Sequence, residues 1–192
     1  MIAYKGFRGN LTCTLGKGTM QYAPGDTIRE ERSKAARTGM HCAEYVLDCL
    51  SYYPLGQGNR YFEVEASGSI DEDGSDTKIA CTEMTLVKEL SIKEIAFRAM
   101  AYMVDHPQRE WEKKGTLLDV SKEEAVGAGK GSIAIARGKD PRVKGKTGTV
   151  AGLLVENEDG EIENARYFVI DGKERKPDVW YRITGPEKEA AG

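Results

Sequence analysis

Gly39-Met-His-Cys-Ala-Glu-Tyr-Val-Leu-Asp-Cys-Leu-Ser-Tyr-Tyr-Pro-Leu-Gly-Gln-Gly-Asn-Arg-Tyr-Phe-Glu-Val-Glu-Ala-Ser-Gly68 is the stretch on which the fold class turns. In order it is a short strand, a helix, a turn and a second strand. Val46, Leu47 and Leu50 fall at helical spacing, which predicts a helix over 43–52 with one buried face. Pro54, Gly56 and Gly58 stop that helix and reverse the chain. From Arg60 the pattern alternates, with Phe62, Val64 and Ala66 on one side and Tyr61, Glu63 and Glu65 on the other. A strand with one buried face requires that alternation. The same stretch holds one of the two histidines, two of the four cysteines and three close tyrosines, so a chemical site is sought here first.

Upstream, Ile2–Phe7 and Leu11–Leu15 are short strands, and Pro24-Gly25 marks a turn. Residues 27–38 fit a strand and a short helix equally well. Downstream, Lys78–Leu90 is a long strand. Ser91-Ile-Lys-Glu94 is a capping box that opens a helix over 91–105, with Ile92, Ile95, Ala96, Ala99 and Met103 on one face. His106 follows at its C-terminus, where the helix dipole favours the charged ring.

Composition then shifts. Seven glycines between Gly127 and Gly152 predict short β rungs joined by tight turns. Asp159-Gly160 predicts a hairpin between Val150–Glu156 and Glu161–Ile170, and Val179–Ile183 closes the sheet. The expected architecture is therefore α+β. A mixed α/β pocket domain covers 1–107, a charged connector 108–120, and a Gly-rich all-β tail 121–192.

Hydrophobic residues make up 40% of the 192 and charged residues 31%, which suits a soluble globular chain. A net charge of −3 argues against a nucleic-acid partner. No apolar run approaches the ~20 residues that span a bilayer, and the first residues lack a signal-peptide pattern. A cytoplasmic setting is the expectation. Cys13, Cys42, Cys49 and Cys81 form no CxxC pair, so buried reduced thiols are expected and no metal site.

Thr38-Gly-Met-His-Cys42, Leu47-Asp-Cys-Leu-Ser-Tyr-Tyr-Pro54 and Arg60-Tyr-Phe-Glu-Val-Glu65 resemble a family of uncharacterised phage and prophage proteins. So do Ala3–Phe7 and Asp171–Tyr181, so the resemblance covers the whole chain. It implies the cytoplasm of a bacterial host. More distantly, residues 4–87 are similar to ADP-ribosyltransferase-like domains. That similarity places Tyr4-Lys5-Gly6 at the first motif, Gly39-Met-His41 on the second strand, Tyr45 or the Tyr52/Tyr53 pair on the following helix, and Glu83 at the catalytic position. Lys5 stands where that fold usually has His or Arg. Gly131–Gly145 is similar to β-roll rungs of trimeric adhesins, which stack or trimerise.

These resemblances imply a pocket formed by Lys5, Gly6, His41, Tyr52, Tyr53 and Glu83. Lys5 would meet a phosphate, a tyrosine face would stack a ring, and Glu83 would take ribose hydroxyls. The ligand class they imply is NAD or a related nucleotide. The expected function is binding of a nucleotide-like, NAD-derived ligand, with sequestration of a host signal as an anti-defence role. The alternatives are an ADP-ribosyltransferase with Glu83 as its catalytic residue, and a structural protein that oligomerises, as a trimer, through its β tail.

Overall fold

The computed structural model describes residues 1–15, 18–35, 37–72 and 77–186. Its contacts divide the chain into two compact units, Met1–Ser91 and Ile92–Gly192. The domain boundary expected from the sequence, a charged connector over 108–120, lies further on.

The first unit contains β1 (Ile2–Phe7), β2 (Thr12–Leu15), β3 (Gly18–Gln21), β4 (Thr27–Arg29) and β5 (Met40–Ala43). A 3₁₀ helix (Val46–Ser51), β6 (Arg60–Glu72) and β7 (Lys78–Glu89) complete it. The sheet order is β4-β7-β5-β1-β6, and β7 also pairs with β6. The antiparallel pairings β7–β5–β1–β6–β7 therefore return on themselves. The alternation expected from Arg60 onward holds for Phe62, Val64 and Ala66, which are buried, and for Glu65, which is exposed, whereas Tyr61, expected on the open side, is buried as well. Phe62, Val64 and Ala66 join Ala3, Phe7, Met40, Met84 and Leu86 in one core. Phe7 anchors it by edge contacts to Tyr22 (4.9 Å) and Phe62 (5.7 Å between ring centres).

The expected mixed α/β first domain, and with it the ADP-ribosyltransferase-like arrangement, is overturned. Strands account for 51% of the described residues and helices for 11%. The predicted amphipathic helix over 43–52 is instead a short 3₁₀ helix, and Val46, Leu47, Asp48, Cys49 and Leu50 are all buried. Three constraints explain this. Ala43 is still in β5, and Glu44 and Tyr45 give their N–H groups to Thr77. At the far end Pro54 disfavours a helical conformation at Tyr53. Too few residues remain for a stable α-helix.

The second unit begins with α1 (Ile92–Asp105), directly after Ser91 as the capping box implies. Its buried face is Ile95, Ala96, Ala99, Met100, Tyr102 and Met103. His106 stacks on Tyr102 with ring centres 4.4 Å apart. Then come β8 (Lys113–Gly115), β9 (Leu118–Gly127), β10 (Ile133–Gly145), β11 (Val150–Glu156), β12 (Ile162–Val169), β13 (Tyr181–Arg182) and β14 (Gly185–Pro186). Here β9, β10 and β11 are stacked parallel rungs, whose flanks are paired antiparallel by β8, β12 and β13.

Glycine density does not break β10, which runs for 13 residues through Gly138. Glycine is needed there for close approach: a Cβ on Gly138 would run into the Glu123 carboxylate. One on Gly145 would lie 2.6 Å from Thr149 Oγ1 and 3.0 Å from the Gly127 carbonyl. Among the described residues, no helix is long and apolar enough to cross a membrane. The expected turn across 71–76 and frayed end at 185–192 fall largely outside the described residues.

Gly145→Ala should therefore destabilise the second unit by about 1–3 kcal/mol, the range of overpacking in a tight interior. Adding Thr149→Ala should restore part of that loss by removing the nearer atom. Both tryptophans, Trp111 and Trp180, lie in this unit, so urea unfolding followed by their fluorescence measures the effect.

Candidate ligand-binding site

In the first unit, β1 and β5 are joined by a single pair, Tyr4 with Ala43. That register would next set Gly6 opposite His41. Instead the Lys5 side chain crosses the gap, and its Nζ donates to the His41 carbonyl at 2.5 Å. Where the two strands stop pairing, a cavity of about 390 Å³ opens, lined by Lys5, Gly6, His41, Tyr52 and Tyr53 among others.

Each wall has a local cause. Lys5 shares its strand face with Ala3 and Phe7, so the pleat carries it inward; it is 6% exposed. Its ammonium sits 5.5 Å from the centres of the Phe7 and Tyr22 rings, whose faces favour a cation. Among the described residues its other two N–H groups meet no acceptor. Gly6 is glycine because Tyr53 lies on it: a Cβ there would be 2.7 Å from Tyr53 Cδ2. Tyr53 is held from behind, where its carbonyl accepts the Tyr61 hydroxyl at 2.7 Å. Tyr52 is 59% exposed, and Lys78 Nζ lies over its ring and 3.1 Å from its hydroxyl.

Thr77 fastens the remaining wall. Its hydroxyl donates to Asp48 Oδ2 at 2.6 Å and accepts the Tyr45 N–H at 2.9 Å. Asp48, Arg37, Cys13, Thr14, Cys42, Ala43, Cys49 and Lys78 complete the lining among the described residues. Among the described lining residues, three are cationic and one is a carboxylate.

His41 is held below its ordinary protonation range by burial first, then by the Lys5 and Lys78 charges. Its Nε2 has no hydrogen-bond partner among the described residues. All four cysteines are free and buried. A hydrogen bond with the Cys81 thiol, together with burial, holds the Cys42 thiol well above its usual range. Burial pushes Cys49 up to about 12, and its Sγ donates to the Tyr4 carbonyl. Neither is a thiolate nucleophile at neutral pH. Among the described residues, no three His, Cys, Asp or Glu side chains converge to hold a metal ion.

Of the six residues expected at the site, five meet around this cavity. The sixth, Glu83, stands outside its lining, opposite Arg29, whose Nη2 lies 2.5 Å from its carboxylate. Sequence reasoning missed Arg37, Asp48 and Lys78. Lys78 arrives through the pairing of Ala43 with Lys78, and Arg37 through the Lys34–Thr38 turn. Neither carries a local motif. Asp48 lay inside the opening stretch, and the contact that gives it a place, with Thr77, spans 29 residues.

Residues 1–98 match the family model described as a domain of unknown function, DUF7666, and the chain belongs to that family. The match takes in every residue that lines the cavity. No curated protein and no solved structure matches the chain.

The state of His41 has a measurable consequence. Its unfolded pKa is about 6.5 and its folded value is lower, so below that pH the unfolded chain binds the extra proton. The contribution of neutral His41 is complete above about pH 6.5 and is lost as pH falls toward the folded pKa. Melting temperatures taken from about pH 7 down to 5 should fall more steeply for the wild type than for His41→Gln.

Proposed function

We propose that residues 1–91 form a binding module for a small anionic, nucleotide-like ligand. The observation that carries this reading is the Lys5 ammonium in the wall of the cavity, with two N–H groups left without a described acceptor. A buried ammonium costs several kcal/mol in desolvation. An incoming anion would offset that cost with charge-assisted hydrogen bonds. Arg37 and Lys78 add charge of the same sign, and Tyr52 and Tyr53 supply faces for a planar ring.

Binding is favoured over group transfer by the position of the carboxylates. Glu83 is on the Arg29 side of β7, and Asp48 is engaged by Thr77. Taken with the resemblance to phage and prophage proteins, this reading makes the protein an accessory factor that sequesters a host nucleotide signal derived from NAD.

Calorimetry with ADP-ribose, NAD and cyclic ADP-ribose isomers tests it. Lys5→Met should weaken binding about tenfold to a hundredfold, as loss of a charged hydrogen bond of about 1.5–3 kcal/mol requires. Glu83→Gln should leave affinity unchanged. A wild-type protein that binds none of these compounds would end the reading.

A second reading is assembly through residues 92–192. It is supported by Phe97 and Val104 on α1, which are 55% and 44% exposed. They flank an apolar groove of about 270 Å³ with Ala165 and Tyr167. If this groove receives another copy, Phe97→Glu with Val104→Glu should convert a trimer to monomer in sedimentation. A wild-type protein that is monomeric at micromolar concentration rules it out.

A further inference from the structure

We infer that an anion entering this cavity carries a proton in with it, taken up by the His41 ring, so that the site holds anions more tightly as pH falls. The inference rests on the binding reading above and adds its regulation.

The geometry leaves the His41 ring one open position. His41 lines the cavity, and its own carbonyl accepts the Lys5 ammonium at 2.5 Å. The main-chain carbonyls of Lys34 and Gly39 accept from the ring, while Nε2 is buried with no hydrogen-bond partner among the described residues. The neutral ring therefore keeps its proton on Nδ1 and has a bare lone pair at Nε2. A second proton would place a charged N–H there with neither water nor acceptor, in the field of the Lys5 ammonium. Burial, followed by that neighbouring charge, favours the neutral ring in the free protein.

An anion reverses the second of these causes. Bound to the two open N–H directions of Lys5, it lies next to His41, because Lys5 is already fastened to the carbonyl of that residue. A negative charge within about 4–6 Å favours imidazolium over imidazole. The sign of this effect does not depend on the total charge of the wall, since the same wall is compared with and without the anion. By linkage, a bound state that holds more protons gains affinity as pH falls.

Other groups also face the ring. Lys78 on β7 stands two residues from Ala80, the cross-strand partner of His41, and Arg37, Asp48 and Cys49 share the cavity lining. Asp71 occupies the same row on β6, where it accepts the Ala35 N–H and pairs with Lys34. Among these side-chain types, histidine alone has an unperturbed titration between about pH 5 and 8. The other histidine, His106, belongs to the second unit.

The test is calorimetry with ADP-ribose, NAD and cyclic ADP-ribose isomers, whose phosphates are diesters. They lack the second ionisation, with a pKa of ~6, that a terminal phosphate would add. At pH 6 the apparent binding enthalpy should differ between MES and Bis-Tris buffers in the direction of proton uptake by the complex. Affinity should rise about fivefold from pH 7.5 to 5.5, the gain that follows if the anion makes His41 tenfold more basic. His41→Gln keeps the main-chain carbonyl that Lys5 uses, and should bind with no proton uptake and no such rise. His106→Gln should keep both. Should His41→Gln fail to fold, the one ring signal left in His106→Gln decides, since its NMR titration must move to higher pH when ligand is added. Binding without proton uptake, uptake that persists in His41→Gln, or a ring titration that does not move overturns this inference and leaves the binding reading in place. If none of the compounds binds the wild type, both fall together.

Discussion

Two strands that meet at one residue pair and then part are the constraint on which the first unit is built. Tyr4 pairs with Ala43, and one step further a lysine side chain takes the place of the backbone ladder. Continued pairing would have drawn β1 and β5 together and closed the gap. Because Lys5 spans it, the His41 carbonyl is satisfied and the strands stay apart. The cavity is what remains between them. Gly6 follows from the same arrangement, since only a residue without Cβ lets Tyr53 close over the parted strand.

Holding an ammonium inside a β core has a cost that the surroundings offset only in part. One charged hydrogen bond and two aromatic faces contribute roughly a few kcal/mol, of the same order as the desolvation penalty. The neighbours are arranged not to compete for the charge. His41 is kept neutral, the Cys42 and Cys49 thiols are kept protonated, and Asp48 accepts the Thr77 hydroxyl.

The second unit solves a different problem with glycine. Parallel rungs can approach closely only where side chains are absent or small, and Gly127, Gly145 and Thr149 form such a contact. The same residue type therefore has opposite effects in different places. Gly160 and Gly172 take left-handed backbone and end strands, whereas Gly138 lies in the middle of a strand and lets a carboxylate pass.

Much of the secondary structure was legible in the residues themselves. Alternation along Arg60–Ala66, the capping box at Ser91 and the Asp159-Gly160 turn are local signals, because pleat, helix start and turn depend on neighbours a few residues away. Residues Lys5, Gly6, His41, Tyr52 and Tyr53 were also singled out beforehand, and they do meet around one cavity. What the sequence could not decide depends on partners far along the chain. Leu47 and Leu50 have helical spacing, but Thr77, some thirty residues on, captures the backbone at Glu44 and Tyr45 and leaves room for only a short 3₁₀ helix. Glu83 belongs to the right strand but lies outside the cavity because its neighbour on that sheet is Arg29. Local pattern determined which residues could form strands and turns. Only strand pairing across the whole sheet decided which side chains share a space, because pairing joins residues that sequence distance keeps apart.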